Sequence, residues 1–151
     1  MKRHEKSLIP FVITIFLFSA CASIKFGSNS DDKKLAQNVV NEYHKLYNEQ
    51  NYEEIFNAAH EEARRTKSKE ALGLALAQAF EKYGKYVSSE LVYSKVETVN
   101  ANQRQVEFAY KSKFENGTRN ETFLIVTNDQ KGALYAIGEL SDDELEKLKS
   151  K

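Results

Sequence analysis

The stretch QRQVEFAYKSKFENGTRNETFLIVT, residues 103–127, decides the fold of this chain because apolar and polar side chains alternate along it. A period of two predicts β-strands that bury one face. Asn116-Gly117 interrupts the alternation, and this dipeptide favours a two-residue type I′ hairpin turn, in which both residues have positive φ. We therefore predict two antiparallel strands, over residues 103–114 and 118–127.

The predicted turn also sets the register of the hairpin. With Asn116 and Gly117 as the two loop residues, Glu115 faces Thr118. The inward pairs are then Tyr110 with Phe123, Phe108 with Ile125, and Ser112 with Glu121. The outward pairs are Lys111 with Thr122 and Glu107 with Val126. A slip of one residue would turn every inward side chain to the outer face.

Before the hairpin, the hydrophobic period lengthens to about 3.6 residues, which predicts amphipathic helices. The predicted helices cover about 31–48, 51–63 and 68–83, with Asp31 or Asp32, Asn51 and Ser68 as their N-caps. Gly84 follows the third helix, at the position where a left-handed C-terminal stop is expected. Leu74 lies off the apolar stripe of that helix, and the pattern does not decide whether it is buried.

The remaining segments complete a four-stranded meander. Residues 86–98 form a long strand with apolar residues on both faces, which indicates a bulge. A turn over residues 128–131 leads into a last strand over 133–138. Residues 141–149 then form a short charged helix. Helices followed by hairpin-connected strands predict an α+β domain with the helices gathered on one face of the sheet.

The first 20 residues, MKRHEKSLIPFVITIFLFSA, have the layout of a secretory signal. Basic residues precede an apolar run at 8–18, which is shorter than the roughly 20 residues that a transmembrane helix needs. Phe18-Ser19-Ala20-Cys21 then resembles the lipobox of bacterial lipoproteins. The resemblance implies that Cys21 becomes the first mature residue and carries diacylglycerol on its sulfur and an acyl chain on its nitrogen.

Such an anchor has consequences for localisation. Each buried methylene contributes about 0.8 kcal/mol, so two or three acyl chains hold a protein firmly in a bilayer. Ala22 and Ser23 stand where an aspartate commonly retains lipoproteins at the inner membrane, so the resemblance implies the outer membrane, on its periplasmic or surface face, in a Gram-negative cell. Two alternatives stay open: an uncleaved anchor through Ile24, and a secreted protein with a chance cysteine.

The predicted organisation is a signal peptide over 1–20, a tether over 21–30, one α+β domain over 31–140 and a charged helix or tail over 141–151. The whole chain carries 22 basic and 22 acidic residues, and loss of the signal peptide leaves 19 and 21. This balance argues against a nucleic-acid-binding protein, which would show a basic excess. The single cysteine excludes an intramolecular disulfide and a multi-cysteine metal site.

Three stretches carry a family resemblance: YHKLYNEQNY at 43–52, YGKYVSS at 83–89 and GTRNETFLIV at 117–126. With the order of elements, they resemble the nuclear transport factor 2-like, or SnoaL-like, domains of small bacterial envelope proteins of unknown function. The resemblance implies three N-terminal helices packed on a four-stranded antiparallel meander sheet, in a cone-shaped, cystatin-like architecture. Enzymes and non-catalytic binders share this architecture, so the fold does not determine the function.

Enzymes with this fold usually place a carboxylate, a histidine or a tyrosine inside the cone. Glu121 is the carboxylate that the predicted register places there, with Arg119 on the same face. The candidate pocket residues are Tyr43, Tyr47, His60, Tyr110 and Glu121. Two interpretations of the tyrosines stay open, because tyrosines at these spacings, Tyr93 and Tyr135 included, either line a cavity or pack as core. His44 and His60 lie at the edges of apolar arcs, where partly exposed boundary histidines are expected.

The patterns predict no catalytic residue, metal site or cofactor, and they contain no phosphate-binding loop or nucleophile elbow. The predicted function is that of a membrane-anchored, non-catalytic binding or accessory domain. An envelope protein would contact the outer face of the sheet at Glu107, Lys111 and Thr122, or a small apolar ligand would bind. One alternative is a carrier or SnoaL-like enzyme that uses the cone interior. Another is a self-protection lipoprotein that confers immunity or exclusion.

Overall fold

The computed structural model describes residues 29–150, so Cys21, the predicted signal peptide and most of the predicted tether lie outside it. Within this range, four helices precede four strands and a fifth helix follows them. The elements are α1 (Asn29–Asn48), α2 (Tyr52–Ala58), α3 (Glu61–Thr66), α4 (Lys69–Tyr83), β1 (Tyr86–Asn100), β2 (Gln103–Phe114), β3 (Gly117–Thr127), β4 (Gly132–Leu140) and α5 (Asp142–Lys149). The strands form one antiparallel sheet in chain order, which confirms the predicted α+β meander.

The prediction of three helices before the sheet is wrong, because the second one is divided. α2 ends at Ala58, and Ala59 is extended, with φ −68° and ψ 158°. The backbone N–H of His60 then donates to the carbonyl of Leu134 in β4 at 2.8 Å. A tertiary hydrogen bond to the sheet thus replaces a helical one, and α3 starts afresh with His60 as its N-cap.

The predicted hairpin register is wrong by two residues. Phe114 pairs with Gly117, Tyr110 with Glu121, and Phe108 with Phe123. The two loop residues are therefore Glu115 and Asn116 rather than Asn116 and Gly117. Because the shift is an even number of residues, the side chains that were predicted to point inward still do so.

Contacts with the end of α4 explain this register. The backbone N–H groups of Glu115 and Asn116 donate to the carbonyls of Lys85 and Tyr83, each at 2.9 Å. Gly84 ends α4 at φ 72°, and a Cβ there would lie only 2.7 Å from a carboxylate oxygen of Glu115. Within residues 29–150, Gln50 is the one non-glycine residue with positive φ, so Asn116 does not adopt the type I′ conformation.

α1 supplies most of the helical contribution to the core on the inner face of the sheet. Its buried apolar side chains follow the predicted stripe and are Ala36, Val40, Tyr43, Leu46 and Tyr47. They pack on inward residues of β2 and β3, among them Val106, Phe108, Phe114, Phe123 and Ile125, which are all at most 2% exposed. Aromatic rings therefore fill the centre of the interior.

The outer face of the sheet is partly covered by α5. Leu145 is fully buried, and the helix contacts both β1 and β4. Ser141 and Glu144 cap α5 reciprocally, as in a capping box. Glu107 and Thr122, which were predicted to face a partner protein, line a surface cavity together with residues of α5. α5 thus borders the part of this surface that carries Glu107 and Thr122, whereas Lys111 is exposed.

The predicted bulge in β1 is confirmed, and the strand contains three such irregularities. The pairing of β1 with β2 shifts at Val87, Val92 and Val99. Val87 and Val99 are each 54% exposed because a bulged residue leaves the regular alternation of faces. Leu74, which the helical pattern left undecided, is 62% exposed on α4.

Candidate functional site

The structure brings four of the five predicted pocket residues into the interior. Tyr43, Tyr47, Tyr110 and Glu121 are each at most 5% exposed between α1 and the sheet. His60 is elsewhere, at the start of α3, where its ring lies 5.7 Å from that of Tyr135. Because the interior tyrosines are packed among aromatic rings, they serve mainly as core.

A buried hydrogen bond between His44 and Glu121 is the main polar feature of the interior. His44 Nε2 lies 2.9 Å from Glu121 Oε2, and both side chains are at most 5% exposed. The His44 ring stacks on Tyr86, with 3.7 Å between centroids and 7° between planes, and meets the edge of Phe123. The prediction of a partly exposed histidine is therefore wrong.

One signal in the sequence bears on this pair. Glu121 alternates in phase with Phe123 and Ile125, so it was predicted to point inward, and a buried carboxylate requires a partner. His44 adjoins Tyr43 on α1, at the edge of the arc that covers the sheet. Helical periodicity alone does not measure how closely α1 approaches β3, and this distance decides that His44 is buried.

Charged groups continue from this pair to the surface. Arg119 Nη1 lies 4.0 Å from Glu121 Oε1, and Arg119 Nη2 lies 3.1 Å from Glu139 Oε2. The Tyr83 hydroxyl donates to the other oxygen of Glu139 at 3.3 Å. A carboxylate that holds a histidine can serve a general base. Here, however, both side chains are buried between α1 and the sheet, at most 5% exposed, so the arrangement ties α1 to the sheet.

Burial suppresses the ionisation of the interior tyrosines. Desolvation raises the pKa of Tyr47 and of Tyr110 from 10.0 to about 12. The hydrogen bond that the Tyr110 hydroxyl donates to Gln37 Oε1, at 2.7 Å, opposes part of this increase. Desolvation also raises the pKa of Tyr43, and the negative charge of Glu121 adds to that effect.

These values predict a loss of stability in alkali. A raised pKa means that the folded state favours the neutral phenol. The contribution of these tyrosines to the free energy of unfolding is therefore complete below pH 10.0 and is lost as the pH rises through about 12. We expect Tyr47 and Tyr110 to ionise together with unfolding, when tyrosinate absorbance and far-UV circular dichroism are recorded in parallel. The Y47F/Y110F variant should show a smaller late absorbance change. Complete tyrosine ionisation with an unchanged dichroism spectrum would contradict the prediction.

A second buried cluster joins the start of α1 to the far end of the sheet. Asp32 Oδ2 lies 3.2 Å from Arg104 Nε, and the Thr127 hydroxyl donates to Asp32 Oδ1 at 2.7 Å. α1 already includes Asn29 and Ser30, so neither Asp31 nor Asp32 is its N-cap as predicted. Asp32 instead turns inward, where it is 2% exposed, and holds α1 on β2 and β3.

A mainly apolar cavity lies between α1, α2 and β4. This main cavity has a volume of about 360 Å³, within the range of sites that bind small molecules. Its apolar walls are Leu35, Val39, Leu46, Ile55 and Leu134, and its polar rim includes Asn38, Glu42, Gln130 and Lys131. Tyr43 lines this cavity and also a smaller one, of about 250 Å³, that includes Arg119 and Glu121.

Comparison with known proteins adds no family. A scan against protein-family models found no match, and neither did a search of curated proteins. In the part of the chain that the structure describes, no helix has both the length and the hydropathy to cross a membrane. No three histidine, cysteine, aspartate or glutamate side chains of residues 29–150 are grouped as metal ligands.

Proposed function

We propose that this chain is a membrane-anchored cell-envelope lipoprotein whose domain is a non-catalytic binding module for a small apolar ligand. The observation that carries the proposal is the main cavity, whose apolar walls enclose about 360 Å³ beside the packed core. Sites of this kind bind by burying apolar surface, while a few polar groups at the rim orient the ligand. The lipobox resemblance at Cys21 supports the anchor.

The walls of the main cavity favour binding over catalysis. They contain no serine, cysteine or histidine, and their one carboxylate, Glu42, is exposed and pairs with Lys45 at 3.1 Å. A nuclear transport factor 2-like cone is our proposal for the fold family, supported by the order of the elements and by α1 on the inner face of the sheet. An enzyme of that family is the second candidate, because Glu121 lines the smaller cavity. We rank it second since His44 and Arg119 adjoin the two oxygens of Glu121.

Filling the main cavity should weaken ligand binding. Val39 is half-buried on its wall, and V39F would place a ring in the space. We expect about tenfold less photolabelling by decanol that carries a diazirine in its chain, since lost apolar burial of this size costs about 1–2 kcal/mol. The full chain in bacterial membranes would be irradiated, and labelled peptides located by mass spectrometry.

The matched control is V99F, because Val99 is an exposed valine on β1, remote from the cavity lining. This variant should be labelled as the wild type is. Equal labelling of V39F and the wild type at cavity peptides would show that the ligand binds elsewhere.

The anchor is tested separately at Cys21. Mass spectrometry of the mature amino terminus should find diacylglycerol and an acyl chain on this residue. C21S should move the protein from the membrane fraction to the soluble fraction, because without the acyl chains little apolar surface remains to hold it. An unmodified Cys21, or unchanged fractionation of C21S, would overturn the proposal of a lipid anchor.

A further inference from the structure

We infer that the ligand of the main cavity is a single-chain anionic amphiphile of the fatty-carboxylate class, with its head group in a neighbouring polar cavity. This inference rests on the proposed function and names the ligand class for the same site. The polar cavity has a volume of about 390 Å³ and lies between the α2–α3 junction and the turn that joins β3 to β4. The two spaces adjoin, because Ala58, Lys131 and Gly132 line both.

The charges around the polar cavity favour an anion. Arg64 and Lys131 line it, and neither forms an ion pair with a carboxylate anywhere in residues 29–150. Glu61, the carboxylate on the same wall, is paired with Arg65. A carboxylate head group would therefore meet two unpaired cations, and charge-assisted hydrogen bonds of this kind are stronger than neutral ones.

His60 adds a hydrogen-bond donor to the same wall. Its Nδ1 accepts the backbone N–H of Glu62 at 3.4 Å, which assigns the proton of the neutral ring to Nε2. The His60 ring lines the polar cavity, and Nε2 has no hydrogen-bond partner among the described residues. Nε2–H can therefore donate to a bound anion. This gives His60 a function apart from the interior pocket in which it was predicted.

The position of the cleft fits a ligand that comes from a bilayer. Thr127 bonds to Asp32 near the start of α1, and Gly132 packs so closely on α1 that a Cβ there would lie 3.1 Å from Val39. The cleft thus lies at the end of the domain where the chain enters α1. Under the proposed anchoring, eight positions separate Cys21 from Asn29, and even a fully extended chain of that length spans no more than about 29 Å, which keeps this end near the membrane surface.

The test compares two photoreactive probes that share one chain and differ in their heads. Diazirine-bearing decanoate and diazirine-bearing decanol would be applied to membranes that contain the full chain. The inference requires that both probes label peptides of the main cavity, around Val39, Ile55 and Leu134. The R64Q variant, an exposed substitution at a residue that lines the polar cavity and not the main cavity, should reduce labelling by decanoate about tenfold and leave labelling by decanol unchanged. K113Q on exposed β2 is the matched control and should change neither.

The possible failures are distinguishable. Decanoate labelling that R64Q leaves unchanged would overturn the anionic ligand class while the apolar site stands. Labelling of cavity peptides by neither probe would overturn the proposed function itself. Unlabelled octyl phosphate, added as a competitor, distinguishes phosphate head groups from carboxylate head groups. If octyl phosphate displaced the decanoate probe at a concentration equal to or lower than that of the probe, the assignment to carboxylates would be overturned.

Discussion

Replacing Arg104 with methionine is expected to lower the free energy of unfolding by about 3–5 kcal/mol at neutral pH. Arg104 Nε lies 3.2 Å from Asp32 Oδ2, and both side chains are at most 6% exposed. Methionine keeps much of the apolar volume but leaves the Asp32 carboxylate buried without its cation. Thr127 still donates one hydrogen bond to Asp32, but a hydroxyl does not compensate a buried charge. Chemical denaturation followed by circular dichroism measures the loss.

The double variant D32L/R104M provides the control for this experiment. When both charges are replaced by apolar side chains, no uncompensated charge remains, so the double variant should be more stable than R104M alone. Asp129 lies 3.8 Å from Arg104 Nη1 but is 62% exposed, so D129N should change stability little. If R104M were as stable as the wild type, the buried pair would not hold α1 on the sheet.

Truncation of Phe123 to alanine is the second substitution with a large expected effect. Phe123 is 1% exposed in the centre of β3. Its ring meets those of Tyr43 and Tyr110 at centroid distances of 5.2 and 5.8 Å, edge to face. Removing it forfeits apolar burial and leaves a cavity between α1 and the sheet, which typically costs about 3–5 kcal/mol. Thermal and chemical denaturation should both show the decrease.

An exposed residue provides the comparison for F123A. Leu74 is 62% exposed on α4, and L74A should change the free energy of unfolding by less than about 0.5 kcal/mol. The decrease in the free energy of unfolding for F123L should lie between those for F123A and L74A, because leucine fills part of the space that the phenylalanine ring occupies. A decrease for F123A no larger than that for L74A would show that the ring is not part of a close-packed core.

The strand faces were predictable from the sequence, whereas the strand register was not. Alternation places Phe108, Tyr110 and Phe123 inward whichever even register the hairpin adopts, because side-chain direction has a period of two. The register itself depends on where the turn bonds. Here the backbone groups of Glu115 and Asn116 bond to the segment after α4, a contact distant in sequence. The preference of Asn-Gly for a type I′ turn is weaker than these tertiary hydrogen bonds.

In the candidate site, too, the direction of the side chains was predictable from the sequence, whereas their long-range partners were not. The inward direction of Glu121 and the apolar stripe of α1 were predictable, since both follow from local periodicity. The partner of Glu121 was not predictable. His44 lies 77 positions away in the sequence, and its contact with Glu121 depends on the distance between α1 and β3. His60 was predicted at the edge of an apolar arc, as a partly exposed residue that could flank a pocket, and the break at Ala59 places it at the polar cavity.

By itself, the sequence determined the α+β class, the apolar stripe of α1 and the inward faces of the strands, and the signal peptide and lipobox that it predicts remain part of the proposal. These features are local, since they depend on the period of apolar residues and on short motifs. The tertiary structure alone decided the hairpin register, the division of the second helix, the hydrogen bond between His44 and Glu121, the ion pair between Asp32 and Arg104, and the adjoining cavities. Each of these requires groups from distant parts of the chain to meet at bonding distance, and periodicity along one segment does not specify such distances.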